Sequence, residues 1–432
     1  MPRRMLHAPS IRVSIWGRAV GIVYPHPKSG FHLFAYDKDF AESGIQLSPL
    51  SMPLRKGQPY LFEELPPKTF HYLPALLADT FPDAFGNMLI DEWMNNQGLR
   101  LSEVTPLDRL AYMGRRAMGA LEFEPEFPKS RNAPFILDVS DLVESARKAL
   151  SGEISDDQRT WDFLSNLIQV GTSAGGARPK AVVAWNRKTG KMRSGQFDCP
   201  AGFEHWLLKF DGISGDGKAI RSQDDGRIEY AYHRMASQAG IAMAECDILE
   251  ENGRAHFMTK RFDRDKNAKH HLQTLCAMAA EGSRLPASYE EIFKLMETLE
   301  LPDDDRKQLF RRMVFNVLAM NRDDHTKNFS FILKKGESWR LAPAYDLMYM
   351  PGTGQCLSIE AKRAGIHRDD FLAVGDRMNV PEARRLCEEV EEAVAAWPDF
   401  ARKAGVREAH SSILWKDISA TLSEATRDRR NS

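Results

Sequence analysis

The segment NRDDHTKNFSFIL (Asn321–Leu333) brings two Asp, one His and two Asn together within eight residues and then continues as an apolar run. The apolar run FSFIL is typical of a buried strand, so the polar loop before it should lie against the protein interior. A buried or half-buried group of carboxylates usually coordinates a cation or transfers a proton. The segment therefore predicts a site that binds a cation or transfers a proton.

The spacing inside this loop points to phosphoryl transfer. Asp323 follows an Arg and precedes Asn328 by five positions, which is the arrangement of the protein-kinase catalytic loop. There the Asp accepts the proton of the substrate hydroxyl and the Asn holds Mg²⁺. Asp346 lies eighteen residues after Asn328, in LAPAYDLMY, and is positioned like the metal-binding Asp of kinases, although the usual Phe-Gly does not follow it.

Three upstream features occur in the order that a kinase requires. The segment GTSAGGARPK, residues 171–180, is a glycine-rich turn whose backbone amides could approach phosphate oxygens. Lys209 lies in the predicted strand HWLLKF, like the kinase lysine that contacts the α and β phosphates. Glu229 lies early in a predicted helix, from which it could pair with Lys209. Together these features predict a nucleotide-binding cleft.

Each feature also has a purely structural explanation. NRDDHTKN could be an Asx-rich turn, Lys209 could face solvent, and Glu229 could be a solvated carboxylate in the first turn of its helix. Two other functions also stay open: a metal-dependent phosphohydrolase, and a non-catalytic nucleotide-binding partner of a DNA-bound repressor. The hydrolase would use four side chains as a metal cage, namely Asp323, Asp324, His325 and Asp346.

Composition is that of a globular protein with more than one lobe. The 432 residues are 43% apolar and 28% charged, and 59 Lys and Arg nearly balance 60 Asp and Glu. This balance gives no argument for bulk attraction to nucleic acid or membranes. The five cysteines include no CxxC pair, and no apolar run approaches the ~18 residues of a membrane span. We expect a reduced, cytoplasmic protein that does not enter the membrane.

Periodicity predicts where strands and helices alternate. IRVSIWGRAVGIVY predicts a hairpin around Gly17, and FHLFAYD predicts a third strand. LPALLADTFPDAFGNMLIDEWM has helical spacing that Pro82 and Gly86 should interrupt. Strands are predicted in KAVVAW and HWLLKF, and from Tyr230 onward the pattern is mostly helical. In the last part, an amphipathic helix should begin near Pro381 and bury residues that recur at helical spacing: Leu386, Val390, Val394 and Trp397.

With these segments in view, the sequence resembles the HipA kinases, which are toxins of bacterial toxin–antitoxin pairs. The resemblance covers about residues 10 to 400. It rests on GGARPKA, HWLLKF, KRFDR, NRDDHTKNFSFIL and PAYDL, and on the earlier LLADTFPDAFGNMLIDEW. It implies an α+β, two-lobed, protein-kinase-like fold with a β-rich subdomain at residues 1–125. The nucleotide-binding part of the smaller lobe would follow at 126–260 and a mostly helical C-terminal lobe at 261–432.

The resemblance also implies an activity and partners. The family phosphorylates serine on translation components, aminoacyl-tRNA synthetases among them, with ATP and Mg²⁺. It is neutralised by a dimeric helix-turn-helix antitoxin, through which it meets operator DNA. Carried over by position, Asp323 would be the proton acceptor, and Asn328 and Asp346 the metal ligands. The nucleotide would be contacted by residues of five segments: Gly175, Gly176, Ala177, Arg178, Pro179 and Lys180; Lys209; Lys260, Arg261 and Phe262; His325, Thr326, Lys327 and Asn328; and Tyr345 and Asp346.

Ser173 aligns with the serine that the family phosphorylates on itself. Two positions depart from the family pattern. Lys260 stands where a Glu is common in the adenine hinge, which should matter little if the hinge uses backbone groups. HHLQTLCAMA, residues 270–279, replaces a more acidic segment, so the choice of substrate is left open.

Overall fold

A computed structural model of the chain describes residues 7–127, 136–137, 140–144, 179–212, 224–280 and 285–427. The strands, in chain order, are β1 (Ile11–Ile15), β2 (Arg18–Pro25), β3 (His32–Tyr36), β4 (Leu121–Glu124), β5 (Ile136–Leu137), β6 (Lys180–Trp185), β7 (Met192–Ser194), β8 (Glu204–Lys209), β9 (Cys246–Glu251), β10 (Arg254–Lys260), β11 (Arg264–Asp265), β12 (Ala268–Lys269), β13 (His271–Thr274), β14 (Ser330–Leu333) and β15 (Arg340–Leu341).

The helices are α1 (Lys38–Ala41), α2 (Pro67–Phe70), α3 (Ala75–Ala78), α4 (Ala84–Asn96), α5 (Pro106–Met113), α6 (Asp225–Gln238), α7 (Leu275–Met278), α8 (Tyr289–Thr298), α9 (Asp303–Leu318), α10 (Arg368–Arg377), α11 (Ala383–Ala395), α12 (Trp397–Ala404) and α13 (Glu408–Thr426). Short 3₁₀ turns lie at Leu101–Glu103 and Thr326–Asn328. Within the described ranges, no helix is both long and apolar enough to cross a membrane.

The N-terminal part forms a four-stranded antiparallel sheet in the order β3-β2-β1-β4. The predicted hairpin is confirmed: β1 and β2 are joined by Trp16 and Gly17, whose φ angles of 51° and 76° suit a two-residue turn of this kind. Strand β3 is the predicted third strand. Alternate residues of β1 are fully buried, as expected for a sheet with one face on a core.

The helical segment that follows this sheet is divided differently from the prediction. Pro82 does separate α3 from α4, but Gly86 lies inside the first turn of α4. The helix tolerates Gly86 there because its backbone N–H donates to Oδ1 of the capping residue Asp83 at 2.8 Å. Gly86 therefore belongs to the cap of α4.

The second sheet has six strands in the order β5-β7-β6-β8-β10-β9. Both predicted strands, β6 and β8, lie side by side at its centre. The expectation of mostly helical structure from Tyr230 is wrong for residues 246–260, which form the β9–β10 hairpin. Asn252 and Gly253 both have positive φ in its two-residue turn, and Asn-Gly is a strong hairpin signal that outweighs the helical spacing nearby.

The C-terminal part combines a small sheet, β13-β14-β15, with helices α7 to α13. The run FSFIL contributes β14, and every residue of that strand is buried, as predicted. Leu386, Val390, Val394 and Trp397 are also buried as predicted. Helix α11 begins at Ala383, near Pro381 as predicted, but Pro381 lies outside its first turn because Glu382, with a positive φ of 63°, is the capping residue. Trp397 belongs to the next helix, α12. The separate sheets and helices make an α+β fold.

Candidate active site

Lys209 is held by two carboxylates that come from distant parts of the chain. Its ammonium Nζ donates to Oε1 of Glu229 at 2.5 Å and also contacts Oδ1 of Asp346. The Lys209 and Glu229 side chains are almost completely buried, and that of Asp346 is about one quarter exposed at 23%. Burial alone would lower the pKa of Lys209, but Asp346 and Glu229 outweigh it and the pKa is raised. The ammonium is therefore held in its charged form.

Glu229 reaches Lys209 because α6 packs unusually close to the second sheet. Gly226, in the first turn of α6, lies against β10, where a Cβ would collide with the carbonyl oxygen of Ala255. Only glycine permits this approach. Glu229 is 2% exposed, so its interpretation as a solvated first-turn carboxylate is wrong.

The catalytic-loop candidate Asp323 stands at the mouth of the site with its side chain 45% exposed. His325 Nε2 lies 3.5 Å from its Oδ1. Partial burial and the negative charge of Asp346 raise the pKa of Asp323, while His325 acts in the opposite direction. A carboxylate with a raised pKa is a better proton acceptor near neutral pH than an ordinary one.

Asn328 is oriented by the same loop. Its side-chain Nδ2 donates to the backbone carbonyl oxygen of Asp323 at 2.7 Å. Because this hydrogen bond holds the NH₂ group of the Asn328 side chain, the side-chain oxygen Oδ1 points the other way and is the group that could bind a cation. Amide and carboxylate oxygens are the ligands that Mg²⁺ prefers, so the side-chain oxygens of Asn328 and Asp346 are of the chemical type that could hold it.

Asp324 has a different role from its neighbour. It is buried, and its carboxylate accepts hydrogen bonds from Tyr289 Oη at 2.8 Å, the Cys356 backbone N–H at 2.6 Å and Gln355 Nε2 at 3.1 Å. These bonds occupy both oxygens of Asp324. No group of three or more His, Cys, Asp and Glu suited to a metal was found in the part of the chain that the structure describes. The phosphohydrolase metal cage, which needs Asp324, is therefore not supported.

A cleft of about 530 Å³ lies between these groups, a volume typical of small-molecule sites. Most of the predicted site residues that the structure describes line it: Lys180, Lys209, Glu229, Lys260, Arg261, Phe262, Asp323, His325, Lys327, Tyr345 and Asp346. Its apolar walls include Leu207, Met243, Phe257 and Leu347. An apolar slot beside charged groups is the environment that a nucleotide requires, with its base in the slot and its phosphates near the lysines.

The predicted hinge residues use their side chains elsewhere. Lys260 Nζ pairs with Glu204, and Arg261 donates to both oxygens of Asp263 at 2.9 and 2.7 Å. The ring of Phe262 stacks on Tyr345 with centroids 6.0 Å apart. The backbone N–H groups of Lys260 and Arg261 also donate within the protein, to the carbonyl oxygens of Glu245 at 2.8 Å and His205 at 2.9 Å, so neither is available to a nucleotide as a hinge donor.

Some predicted residues lie outside the cleft or outside the described residues. The Pro179 carbonyl oxygen accepts a hydrogen bond from the backbone N–H of Phe210 at 3.2 Å. The Thr326 side chain is hydrogen-bonded to the Cys276 thiol. Neither of these residues nor Asn328 is among those that line the cleft. Five predicted residues lie outside the described ranges: Ser173, Gly175, Gly176, Ala177 and Arg178.

The cleft also contains carboxylates that the sequence analysis did not assign to it. Lys180 lies opposite Lys209 on the neighbouring strand, and its Nζ is 3.6 Å from Oδ2 of Asp83, at the start of α4. Burial raises the pKa of Asp83 to about 6, although Lys180 acts to lower it. Asp79, which also lines the cleft, accepts two bonds of 2.6 Å from Thr274. The available signal was a pair of Asp residues four positions apart within the otherwise apolar LLADTFPDAF.

Comparisons with known proteins find two matching domain models and several similar proteins. The HipA-like C-terminal domain model matches residues 172–397, and the HipA N-terminal domain model matches residues 11–124. A putative kinase of Haemophilus influenzae is 31% identical over 137 residues, which are 28% of this chain and 40% of that protein. The putative kinase Y4mE of Sinorhizobium fredii is 26% identical over 427 residues, which are 92% of this chain and 87% of that protein.

The fold is also similar to a solved structure of the Shewanella oneidensis MR-1 toxin–antitoxin system, which holds HipA, HipB and operator DNA. The TM-score is 0.68 at 16% identity, and the match covers 96% of both chains. This similarity shows a HipA-like, kinase-like fold. Because the two domain models together cover most of the sequence, the chain belongs to the HipA family.

Proposed function

We propose that the protein is an ATP- and Mg²⁺-dependent serine/threonine kinase and the toxin of a toxin–antitoxin pair. The observation that carries this proposal is that a buried Lys209–Glu229 pair, Asp346 and Asp323 line one cleft. Asn328, which does not line the cleft, is bonded to the Asp323 backbone in the same loop. A phosphohydrolase would not require the Lys209–Glu229 pair. The relatives named putative kinases agree with the proposal.

Each residue has a defined role in this proposal. Lys209 and Lys180 provide positive charge for the phosphates of ATP, and Glu229 keeps Lys209 in place. Asp323 accepts the proton of the substrate hydroxyl as the hydroxyl oxygen attacks the γ-phosphorus, while the bond from that phosphorus to the β–γ bridging oxygen breaks and ADP leaves. Mg²⁺, held by Asn328 and Asp346, would neutralise charge on the phosphate oxygens. Phe262 and Tyr345 would line the end of the cleft that holds the base of the nucleotide.

The family resemblance supports the partners that we propose. The substrate would be a cytoplasmic translation component such as an aminoacyl-tRNA synthetase, and a dimeric helix-turn-helix antitoxin would bring the chain to operator DNA. The Shewanella oneidensis structure, in which HipA is assembled with HipB and operator DNA, agrees with this assembly.

The central test is transfer of label from γ-³²P-ATP to protein in a cell lysate, with and without Mg²⁺. The wild-type chain should label serine or threonine of a lysate protein, and Asp323→Asn should not. Asp303→Asn is a matched control, because Asp303 lies on the surface with its side chain 65% exposed. Release of free phosphate without any labelled protein would contradict the proposal and favour a hydrolase.

We also propose that Ser173 is autophosphorylated and that its phosphorylation switches the enzyme off. A phosphate would add roughly −1.5 to −2 charges beside the site proposed for the phosphates of ATP. Ser173→Asp should therefore bind ATP poorly, whereas Ser173→Ala should still bind it. Phosphopeptide mapping after incubation with Mg-ATP tests the modification. An unmodified Ser173, or normal binding by the Asp variant, would remove the switch.

A further inference from the structure

A second, larger cavity lies beside the nucleotide cleft. Its volume is about 760 Å³, and it is bounded by the loop and strand at residues 115–127, the loop after β7, and the β11–β12 hairpin. Arg261 lines both this cavity and the nucleotide cleft, so the two are neighbours. The catalytic loop does not contribute to the second cavity. Its chemistry is therefore separate from the proposed phosphoryl transfer.

Positive side chains outnumber negative ones in the wall of this cavity. Five cationic residues line it: Arg115, Arg116, Arg261, Arg264 and Lys269. Three acidic residues also line it: Glu122, Glu126 and Asp198. Just behind the wall, Arg261 and Arg264 share a single carboxylate, that of Asp263, at 2.7 and 2.8 Å. Lys269 pairs with Glu122 at 2.7 Å and Arg116 with Glu126 at 2.8 Å, so the charges around the cavity are nearly balanced. An anion would therefore be recognised by directed donors and by the two arginines that share Asp263.

Arg116 provides a donor that the protein itself does not use. Its side chain is 8% exposed, and Nη2 donates to Glu126 at 2.8 Å. Nη1 is buried without a hydrogen-bond partner, and the guanidinium lies 5.7 Å from the ring of Phe197. A buried guanidinium N–H without a partner is costly, so a site of this kind gains from an external acceptor. Burial also lowers the pKa of Arg116, although Glu126 opposes this.

His205 adds an unused acceptor to the same wall. Its Nε2 faces Oδ1 of Asn267 at 3.4 Å, and that oxygen already accepts from the Cys199 backbone N–H. Nε2 therefore carries the ring proton, and Nδ1, which has no partner, is an acceptor. Burial lowers the pKa of His205 to about 4, with Arg261 and Arg264 acting in the same direction. The ring is therefore neutral at pH 7 and adds no charge to the wall.

We propose that this cavity binds a small phosphate monoester that carries an aromatic ring. Arginine side chains recognise phosphate oxygens through several directed donors, and the buried Nη1 of Arg116 is one such donor. Trp16, Phe127 and Phe197 line the cavity beside the arginines and would contact an attached ring. The volume also exceeds what inorganic phosphate alone would fill.

The test uses phenyl phosphate as the probe and isothermal calorimetry on the full-length chain. Arg116→Gln should weaken binding at least about tenfold, because a charged hydrogen bond is removed. Arg115→Gln should weaken it several-fold, and this variant should fold normally because its side chain is 67% exposed. Arg402→Gln is the matched control, since Arg402 is 72% exposed on a distant helix, and its affinity should not change. Phenyl phosphate should also bind more tightly than inorganic phosphate.

A Lys209→Ala chain separates this cavity from the nucleotide cleft. Binding of phenyl phosphate should be unchanged in that variant, because Lys209 does not line the second cavity. Loss of binding in Lys209→Ala, unchanged affinity in both Arg115→Gln and Arg116→Gln, or no binding at millimolar concentration would each overturn the proposal. The measurement involves no phosphoryl transfer, so its outcome is independent of whether the chain is a kinase.

Discussion

Replacing Glu229 by Gln and Asp346 by Asn, singly and together, tests whether one buried ammonium depends on both carboxylates. Among the described residues, the hydrogen bonds and ion pairs of the Lys209 ammonium are all with these two side chains. In either single variant, Lys209 keeps one carboxylate, and the introduced amide oxygen can still accept a hydrogen bond. In the double variant, the ammonium of a side chain that is 9% exposed loses both carboxylate partners, so it either stays charged at a high cost or gives up its proton.

The expected costs follow from this difference. Each single substitution should lower the free energy of unfolding by about 1 kcal/mol, the net value of one hydrogen bond. Asp346→Asn should cost less than Glu229→Gln, because it also removes repulsion between Asp346 and the carboxylates of Asp323 and Asp83. The double variant should lose about 4 kcal/mol, as expected for a buried charge that has lost its partners. The coupling free energy would then be about 2 kcal/mol.

Urea unfolding of the nucleotide-free protein, followed by tryptophan fluorescence, measures the four free energies. A matched cycle is available on the surface, where Arg187 contacts both Glu245 and Asp247. Its side chain is 42% exposed, so Glu245→Gln and Asp247→Asn should show a coupling below about 0.5 kcal/mol. Additive costs in the buried cycle, within that same limit, would refute the idea that Lys209 depends on both carboxylates.

Three further outcomes are expected. Asp323→Asn should slow phosphoryl transfer by about 10² to 10⁴-fold with little loss of ATP affinity. Asp346→Asn should slow transfer and also weaken the binding of Mg-ATP. If calorimetry showed that both variants lose the same amount of ATP affinity, these assignments would be contradicted. Lys209→Ala should weaken the binding of ATP more than the binding of AMP, because ATP has more phosphates for the ammonium to contact. Equal losses of affinity for the two nucleotides would show that Lys209 does not contact the phosphates. Burial raises the pKa of Asp83 to about 6, against an ordinary 3.8, so between these pH values the folded state keeps a proton that the unfolded chain has lost. The free energy of unfolding should therefore fall by roughly 3 kcal/mol as pH rises from about 4 to 6. Asp83→Asn should remove this fall in urea titrations, and an unchanged pH dependence would show that other groups cause it.

The sequence was most informative where function depends on short spacings. Asp323 and Asn328 are five positions apart, and the bond between them is local, so the loop pattern predicted their proximity. The order of Lys209, Glu229 and Asp346 predicted a shared cleft, and the structure brings their side chains together. The roles of these residues stay predictions. The β9–β10 hairpin was missed although Asn252–Gly253 signals it, because helical spacing on both sides was extended across the turn.

Other features could not be predicted because they depend on long-range packing. Lys180 meets Asp83, and Thr274 meets Asp79, across about 100 and 200 positions of chain. The two Asp residues are conspicuous within the apolar LLADTFPDAF, but their spacing does not show which distant side chains they meet. The second cavity could not be predicted either. Arg116 and Arg264 belong to distant segments, and the periodicity of those segments does not indicate that the two side chains line the same cavity. Such contacts depend on how separate sheets are placed, which propensity does not determine.

The contact between Asp83 and Lys180 changes how deletions of the N-terminal part should be interpreted. A chain that begins after residue 125 would still contain Lys209, the catalytic loop and Asp346, and it would match every kinase motif. It would nevertheless lack one wall of the cleft, because Asp79 and Asp83 would be gone. Inactivity of such a fragment would reflect an incomplete binding site. It would give no information about whether the N-terminal sheet regulates the enzyme.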